Sequence, residues 1–277
     1  MSQKHEEMDF IDHLEALRWH LMRSVISILV FTIIAFVNKS FVFGTLIFGP
    51  SRPDFWTYRM FCKLFTYMGQ SEYCIEELAF TIQSRQMTGQ FTMHIMSSLV
   101  IGLIIAFPYA FWEMWRFIKP GLYPDERKHS RGSVFFVTLL FVTGILFGYY
   151  VVAPLSINFL ASYSVDPSII NEFDITSYVG TLTMLVLACG IMFQLPMIVY
   201  FLSKAGIVHP ELMRRYRKHS IVVILFLSAI LTPPDVISQL LIGLPLMFLY
   251  EVSIKISGNV LKNKLKKAKK ELAENSN

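Results

Sequence analysis

The chain has 277 residues, of which 54% are hydrophobic and 16% charged, and its mean hydropathy is +0.50. A soluble domain carries about a quarter charged residues, so this composition excludes one, and residues 1–277 read as a single membrane domain. The net charge is +5, but the terminal lysine cluster has no interleaved aromatics, which argues against nucleic-acid binding.

Residues 8–21, MDFIDHLEALRWHL, set Phe10, Leu14, Leu17 and Leu21 on one stripe, with acids and histidines opposite. This spacing predicts an amphipathic helix on the membrane surface, leading into a first span from about Leu21 to Val37. The first 18 residues carry charges and no cleavage site, so the first apolar run is expected to remain as a signal anchor. A long loop follows over 38–90, broken by Gly49-Pro50, Pro53 and Gly69, and it holds Cys62 and Cys74. Uncharged runs then cover Gln86–Trp112, Gly132–Val165 and Ile175–Ser203, each longer than the ~20 residues that a span needs. Ser220–Thr232 and Val236–Tyr250 are shorter and are separated by Pro233-Pro234-Asp235. At about 15 residues each they reach only ~22 Å of a ~30 Å core.

Between the second and third runs lies WEMWRFIKPGLYPDERKHSR, residues 112–131. It reads as a polar, basic connector, with aromatics at the water–lipid boundary and Pro120-Gly121 and Pro124 stopping any helix. Flanking charge then sets the topology. Basic residues crowd 113–131, 204–218 and the end beyond Lys255, whereas 154–174 and 232–236 have none. That alternation predicts six transmembrane helices with both termini cytoplasmic and 38–90 exported. The segment 259–277 reads as a charged cytoplasmic tail, frayed or disordered. Cys62 and Cys74 lie where oxidation is available, and a disulfide or two free thiols both stay open. Cys189 sits in mid-span and reads as packing.

No catalytic signature is present: no HExxH, no GxSxG, no P-loop and no Cys/His set with metal-ligand spacing. Neither an enzyme nor a metal or other cofactor is expected. Gln194, in CGIMFQLPMIVY, is the most informative polar residue within a span. An amide at that depth must find a partner, so it either joins two helices or lines a polar pocket. Pro196 beside it predicts a kink, and Pro108, Pro154 and Pro245 extend that expectation to other spans.

Four motifs resemble the TatC family, the core component of the twin-arginine protein translocase. They are HLEALRWHL near the amino end, WRFIKPGLYPDER, FQLP in the fourth span and LTPPDVISQ before the sixth. The resemblance covers nearly the whole chain, apart from parts of 51–85 and the tail. It implies an all-α polytopic protein of the bacterial cytoplasmic membrane, a concave bundle with short last two spans. It implies a receptor that binds twin-arginine signal peptides and scaffolds export of folded proteins with single-span partners of the TatA and TatB type in a multimeric complex. Proton-motive force would drive the transport.

By the same resemblance, Glu126 and Phe117 match the family's signal-peptide loop, and Arg18 belongs to the amino-terminal motif. The family's second acidic position is Ala16 here, which cannot bind arginine. Asp12 and Glu15 flank that direction by roughly 40° and 100° on a helix and are the candidates to replace it. Thr232, Asp235 and Gln239 are the expected partner interface. A secondary transporter for a small solute is the rival reading, weakened by the lack of an internal repeat. An intramembrane enzyme is a third, disfavoured by the missing catalytic pairs.

Overall fold

The computed structural model describes residues 10–69, 80–118, 131–166, 168–231 and 236–275. Apart from two four-residue strands its regular structure is helical. In chain order the elements are α1 (Phe10–Val37), α2 (Lys39–Phe41) leading into a π-helix (Val42–Ile47), α3 (Trp56–Tyr67), β1 (Phe80–Gln83) and α4 (Gly89–Ile118). Next come α5 (Arg131–Phe147), a second π-helix (Gly148–Val152), α6 (Ala153–Ser162), β2 (Asn171–Asp174), α7 (Ile175–Met192) and α8 (Leu195–Lys204). The chain closes with α9 (Pro210–Arg215), α10 (Arg217–Leu231) and α11 (Val236–Asn275).

Among the described residues, five helical stretches are long and apolar enough to cross a membrane: Leu14–Val37, Gly89–Ile118, Gly132–Ser162, Ile175–Lys204 and Gln239–Lys266. Large apolar side chains such as Ile33, Phe135, Ile198 and Phe248 stand exposed along them. That is the surface of a protein solvated by lipid. The chain is therefore an all-α, multi-pass membrane protein.

Three boundaries differ from the sequence reading. No proline or glycine separates the amphipathic stretch from the first apolar run, so both fuse into the 28 residues of α1. α4 continues through Trp112–Ile118, assigned above to the connector, and the expected stop at Pro120-Gly121 lies outside the described residues. The last helix continues beyond its apolar run: α11 is 40 residues long, Val236–Asn275. Its lysines, leucines, alanines and glutamates have high helix propensity, and they extend a helix already nucleated in the membrane. α10, by contrast, has 15 residues. The long loop 38–90 also carries its own structure in α3 and β1.

Contacts divide the chain into two compact units, one of 1–46 with 88–138 and one of 47–87 with 139–277. In the first, α1 packs along α4. α4 offers Ser97, Ser98, Gly102, Ala106 and Glu113 as its buried stripe. Small residues let two backbones approach, and in lipid that contact is the main source of helix association. Gly102 is where it is closest: a Cβ there would lie 2.3 Å from Thr32 Oγ1 and 2.6 Å from Thr32 N. His94 stacks on Phe36 at 4.0 Å and reaches the Phe36 carbonyl oxygen with Nε2 at 3.0 Å.

In the second unit, α7, α8, α10 and α11 meet the second π-helix around Val152, Leu185, Cys189, Val199, Ile224, Ile242 and Leu246. Pro154 has no N–H to return to the Tyr150 carbonyl in an α-helical turn. The Thr57 hydroxyl from α3 donates to that carbonyl instead. The Tyr58 hydroxyl lies 3.0 Å from the Pro50 carbonyl oxygen and 2.9 Å from that of Pro154. Burial pushes the Tyr58 phenol well above its ordinary pKa, so it stays neutral and keeps the proton it donates. Thus the Tyr150 and Pro154 carbonyls anchor α3 through Thr57 and Tyr58. Further along, β1 pairs in parallel with β2, Phe80 opposite Asn171 and Gln83 opposite Asp174.

Asp174 ends β2 and caps α7, accepting from Thr176 N at 2.8 Å and Thr176 Oγ1 at 2.6 Å. It accepts from Arg85 N as well, at 3.0 Å, while the Arg85 side chain pairs with Glu172 at 3.1 Å. These donors, the Thr176 hydroxyl foremost, hold the Asp174 carboxyl below the ordinary aspartate range.

Candidate functional site

The residues singled out at the start of α1 and the end of α4 fall in one compact unit. Glu15 and Arg18 are exposed on the first turns of α1. Phe117 is half-buried on the last turn of α4, its ring centroid 6.3 Å from that of His20. The structure thus brings Phe117 alongside the helix that carries Glu15 and Arg18. Asp12 lies in α1, but its side chain is outside the described residues, as are Glu126, Thr232, Asp235 and Cys74.

The centre of this region is a residue that the sequence reading placed in a loop. Glu113 has a side chain only 1% exposed. His20 Nδ1 lies 2.5 Å from Glu113 Oε2. A carboxylate only accepts, so that nitrogen carries the hydrogen. Arg116 Nη1 is 3.5 Å from Oε1, and Arg23 Nη1 is 3.9 Å from Oε2. Arg116 also stacks on Trp112, its guanidinium carbon 4.9 Å from the ring centroid. Three basic groups converge on one buried carboxylate, so Glu113 is already satisfied and is not an acceptor for an incoming cation. It ties the first turns of α1 to the last turns of α4. Exposed Glu15 keeps acceptor capacity for a guanidinium, and its neighbour Ala16 does not compete for one.

Helical phase would have revealed Glu113. Ser98, Gly102 and Ala106 recur every four residues and Glu113 follows seven later. The same stripe therefore meets α1 once the helix is carried past Trp112.

The other candidates lie in the second unit. Gln194 sits at the break between α7 and α8, its Nε2 3.5 Å from the Gly190 carbonyl oxygen. Pro196 follows in the first turn of α8, as the expected kink requires. Gln239 Nε2 donates to the Leu225 carbonyl at 3.1 Å, linking α11 to α10. Glu251 pairs with Arg217 across the same two helices. Cys62 is disulfide-bonded, and Cys189 is free and buried.

A sequence model of the family described as Sec-independent protein translocase protein (TatC) matches residues 12–245. A TatC protein of Blattabacterium sp. subsp. Periplaneta americana is 39% identical over 266 residues, covering 95% of this chain and all of that protein. One of Desulforapulum autotrophicum is 32% identical over 276 residues, covering all of this chain and 93% of that protein. The crystal structure of a twin-arginine translocase receptor, TatC, superposes with a TM-score of 0.69 at 31% identity, over 90% of this chain and 99% of that one. Matches of this extent leave no part of the membrane region unaccounted for: the chain belongs to the TatC family of Sec-independent protein translocase proteins.

Proposed function

We propose that the ends of α1 and α4 form the receptor surface for a twin-arginine signal peptide. The observation that carries this reading is the placement of Glu15, Arg18 and Phe117 in one unit, fastened by Glu113 on the last turns of α4, which residues 119–130 with Glu126 follow in sequence. A guanidinium is matched by planar carboxylates in bidentate geometry. Glu126 supplies one carboxylate. Glu15 or Asp12 supplies the other, in place of the family's acid at Ala16. Phe117 offers an aromatic face beside them, on which a guanidinium can stack.

On this reading the chain spans the membrane six times, with α10 as the fifth span and both termini cytoplasmic. It scaffolds the export of folded precursors. TatA- and TatB-type single-span proteins dock beside α10 and α11, near Thr232, Asp235 and Gln239, and proton-motive force drives transport. The short apolar reach of α10, about 22 Å against a ~30 Å core, favours cover by a partner there. No catalytic chemistry is assigned to the chain. The test is retention of a synthetic peptide by the purified protein. A twin-arginine peptide should be retained and its twin-lysine counterpart retained poorly. Equal retention of both would defeat the reading.

A further inference from the structure

One side of α1 carries a groove of about 400 Å³ lined by Arg23, Ile26, Ser27, Val30 and Phe31, with Tyr109 of α4 closing it. The α1 residues recur at helical spacing, so the groove is an apolar strip with a basic head. It opens on a face where Ile26, Leu29, Val30 and Ile33 are all exposed and apolar, the face that α1 presents to lipid. Arg23 lies 14 residues before the end of α1, about 21 Å along the helix axis. Its long side chain can snorkel from that depth toward the headgroups, keeping the guanidinium at the boundary.

The charge at this head is not balanced. Two guanidiniums and an imidazole share the single carboxylate of Glu113, and Arg23 makes the longest of the three contacts. Its side chain is 51% exposed. A guanidinium on a lipid-facing surface is costly unless an anion meets it. Its five donors match phosphate oxygens in pairs. The lipid chemistry complementary to this groove is therefore an anionic headgroup with an acyl chain.

We infer that this groove is a site for an anionic phospholipid. The phosphate rests on Arg23, and one acyl chain lies along Ile26, Val30 and Phe31. Such a lipid completes the neutralisation that Glu113 begins, and it sits one helical turn from His20, on the helix that carries Glu15 and Arg18. The site is independent of the signal-peptide reading, because it uses neither Glu126 nor Phe117.

The experiment uses the full chain in dodecyl maltoside, titrated with dioleoyl phosphatidylglycerol or dioleoyl phosphatidylcholine while thermal unfolding is followed. The wild type should be stabilised by less phosphatidylglycerol than phosphatidylcholine. Arg23→Gln should lose this preference roughly fivefold, the effect of about one interfacial cation. Arg23→Lys should keep part of it. Arg116→Gln also disturbs Glu113 but does not line the groove, so it should keep all of it. Val30→Trp fills the groove and should weaken the response to both lipids. Equal responses of the wild type to both lipids would overturn the site. So would equal losses in Arg23→Gln and Arg116→Gln, which would mark a diffuse surface charge. An undiminished response in Val30→Trp would overturn it too, because the lipid would then bind elsewhere.

Discussion

Gly102→Ala should separate α1 from α4. The added Cβ would sit 2.3 Å from Thr32 Oγ1, 2.6 Å from Thr32 N and 2.8 Å from Thr32 Cα. Ordinary contacts between such atoms begin near 3.5 Å, so the helices must part by about 1 Å. A rotamer change of Thr32 moves only the hydroxyl and leaves the clash with backbone. Overpacking of this kind costs about 1–3 kcal/mol. The same displacement would stretch the 2.5 Å contact of His20 with Glu113, which lies three turns further along α4. Loss of stability and loss of peptide retention should therefore appear together. Circular dichroism during heating in detergent reads the first, and peptide retention reads the second. The double variant Gly102→Ala, Thr32→Ala removes the hydroxyl but not the backbone clash, so its recovery should be partial. An unchanged unfolding midpoint in Gly102→Ala would refute the reasoning, and so would full rescue by Thr32→Ala.

Glu113→Ala should lower stability by about 1.5–3 kcal/mol, the scale of a hydrogen bond to a charged group, because His20 and Arg116 lose their shared acceptor. Glu113→Gln should retain part of that, since its carbonyl still accepts from His20; equal midpoints for all three proteins would contradict the role assigned to Glu113. For Asp174 the folded carboxyl titrates below its unfolded value, so the cap contributes stability above the ordinary aspartate pKa of about 4 and loses it as pH falls through the lower folded value. The gap in unfolding midpoint between wild type and Asp174→Ala should accordingly narrow on acidification below about pH 4, and a gap that widens would reverse the sign. Cys62 should be joined to Cys74 after expression in a host with an oxidising periplasm, seen by mass spectrometry as one linked peptide rather than two alkylated thiols.

Spans announced themselves because twenty apolar residues have few other uses. What the sequence hid was set by distant partners or by continuity. Glu113 looked like one acid among the charges of a connector, since its burial depends on His20, 93 residues away. β1 and β2 are four residues each and pair across a long separation, too short for any period to emerge. The length of the final helix does not show in its apolar run, because lysine and glutamate prolong a helix that a span has nucleated. At the candidate site, Glu15, Arg18 and Phe117 were readable from motifs, and their common unit was implied by the family pattern. The residue fastening them, and the groove beside Arg23, required the α1–α4 packing itself.

The central proposal is recognition of arginine by Glu126, which follows α4 in sequence. Fluorescence anisotropy of a labelled twin-arginine peptide, titrated with wild type, Glu126→Ala and Glu126→Asp in detergent, tests it most directly. The account predicts saturable binding by the wild type, none by Glu126→Ala and weakened binding by Glu126→Asp, with all three unfolding at the same temperature. Binding by Glu126→Ala equal to that of the wild type would contradict it.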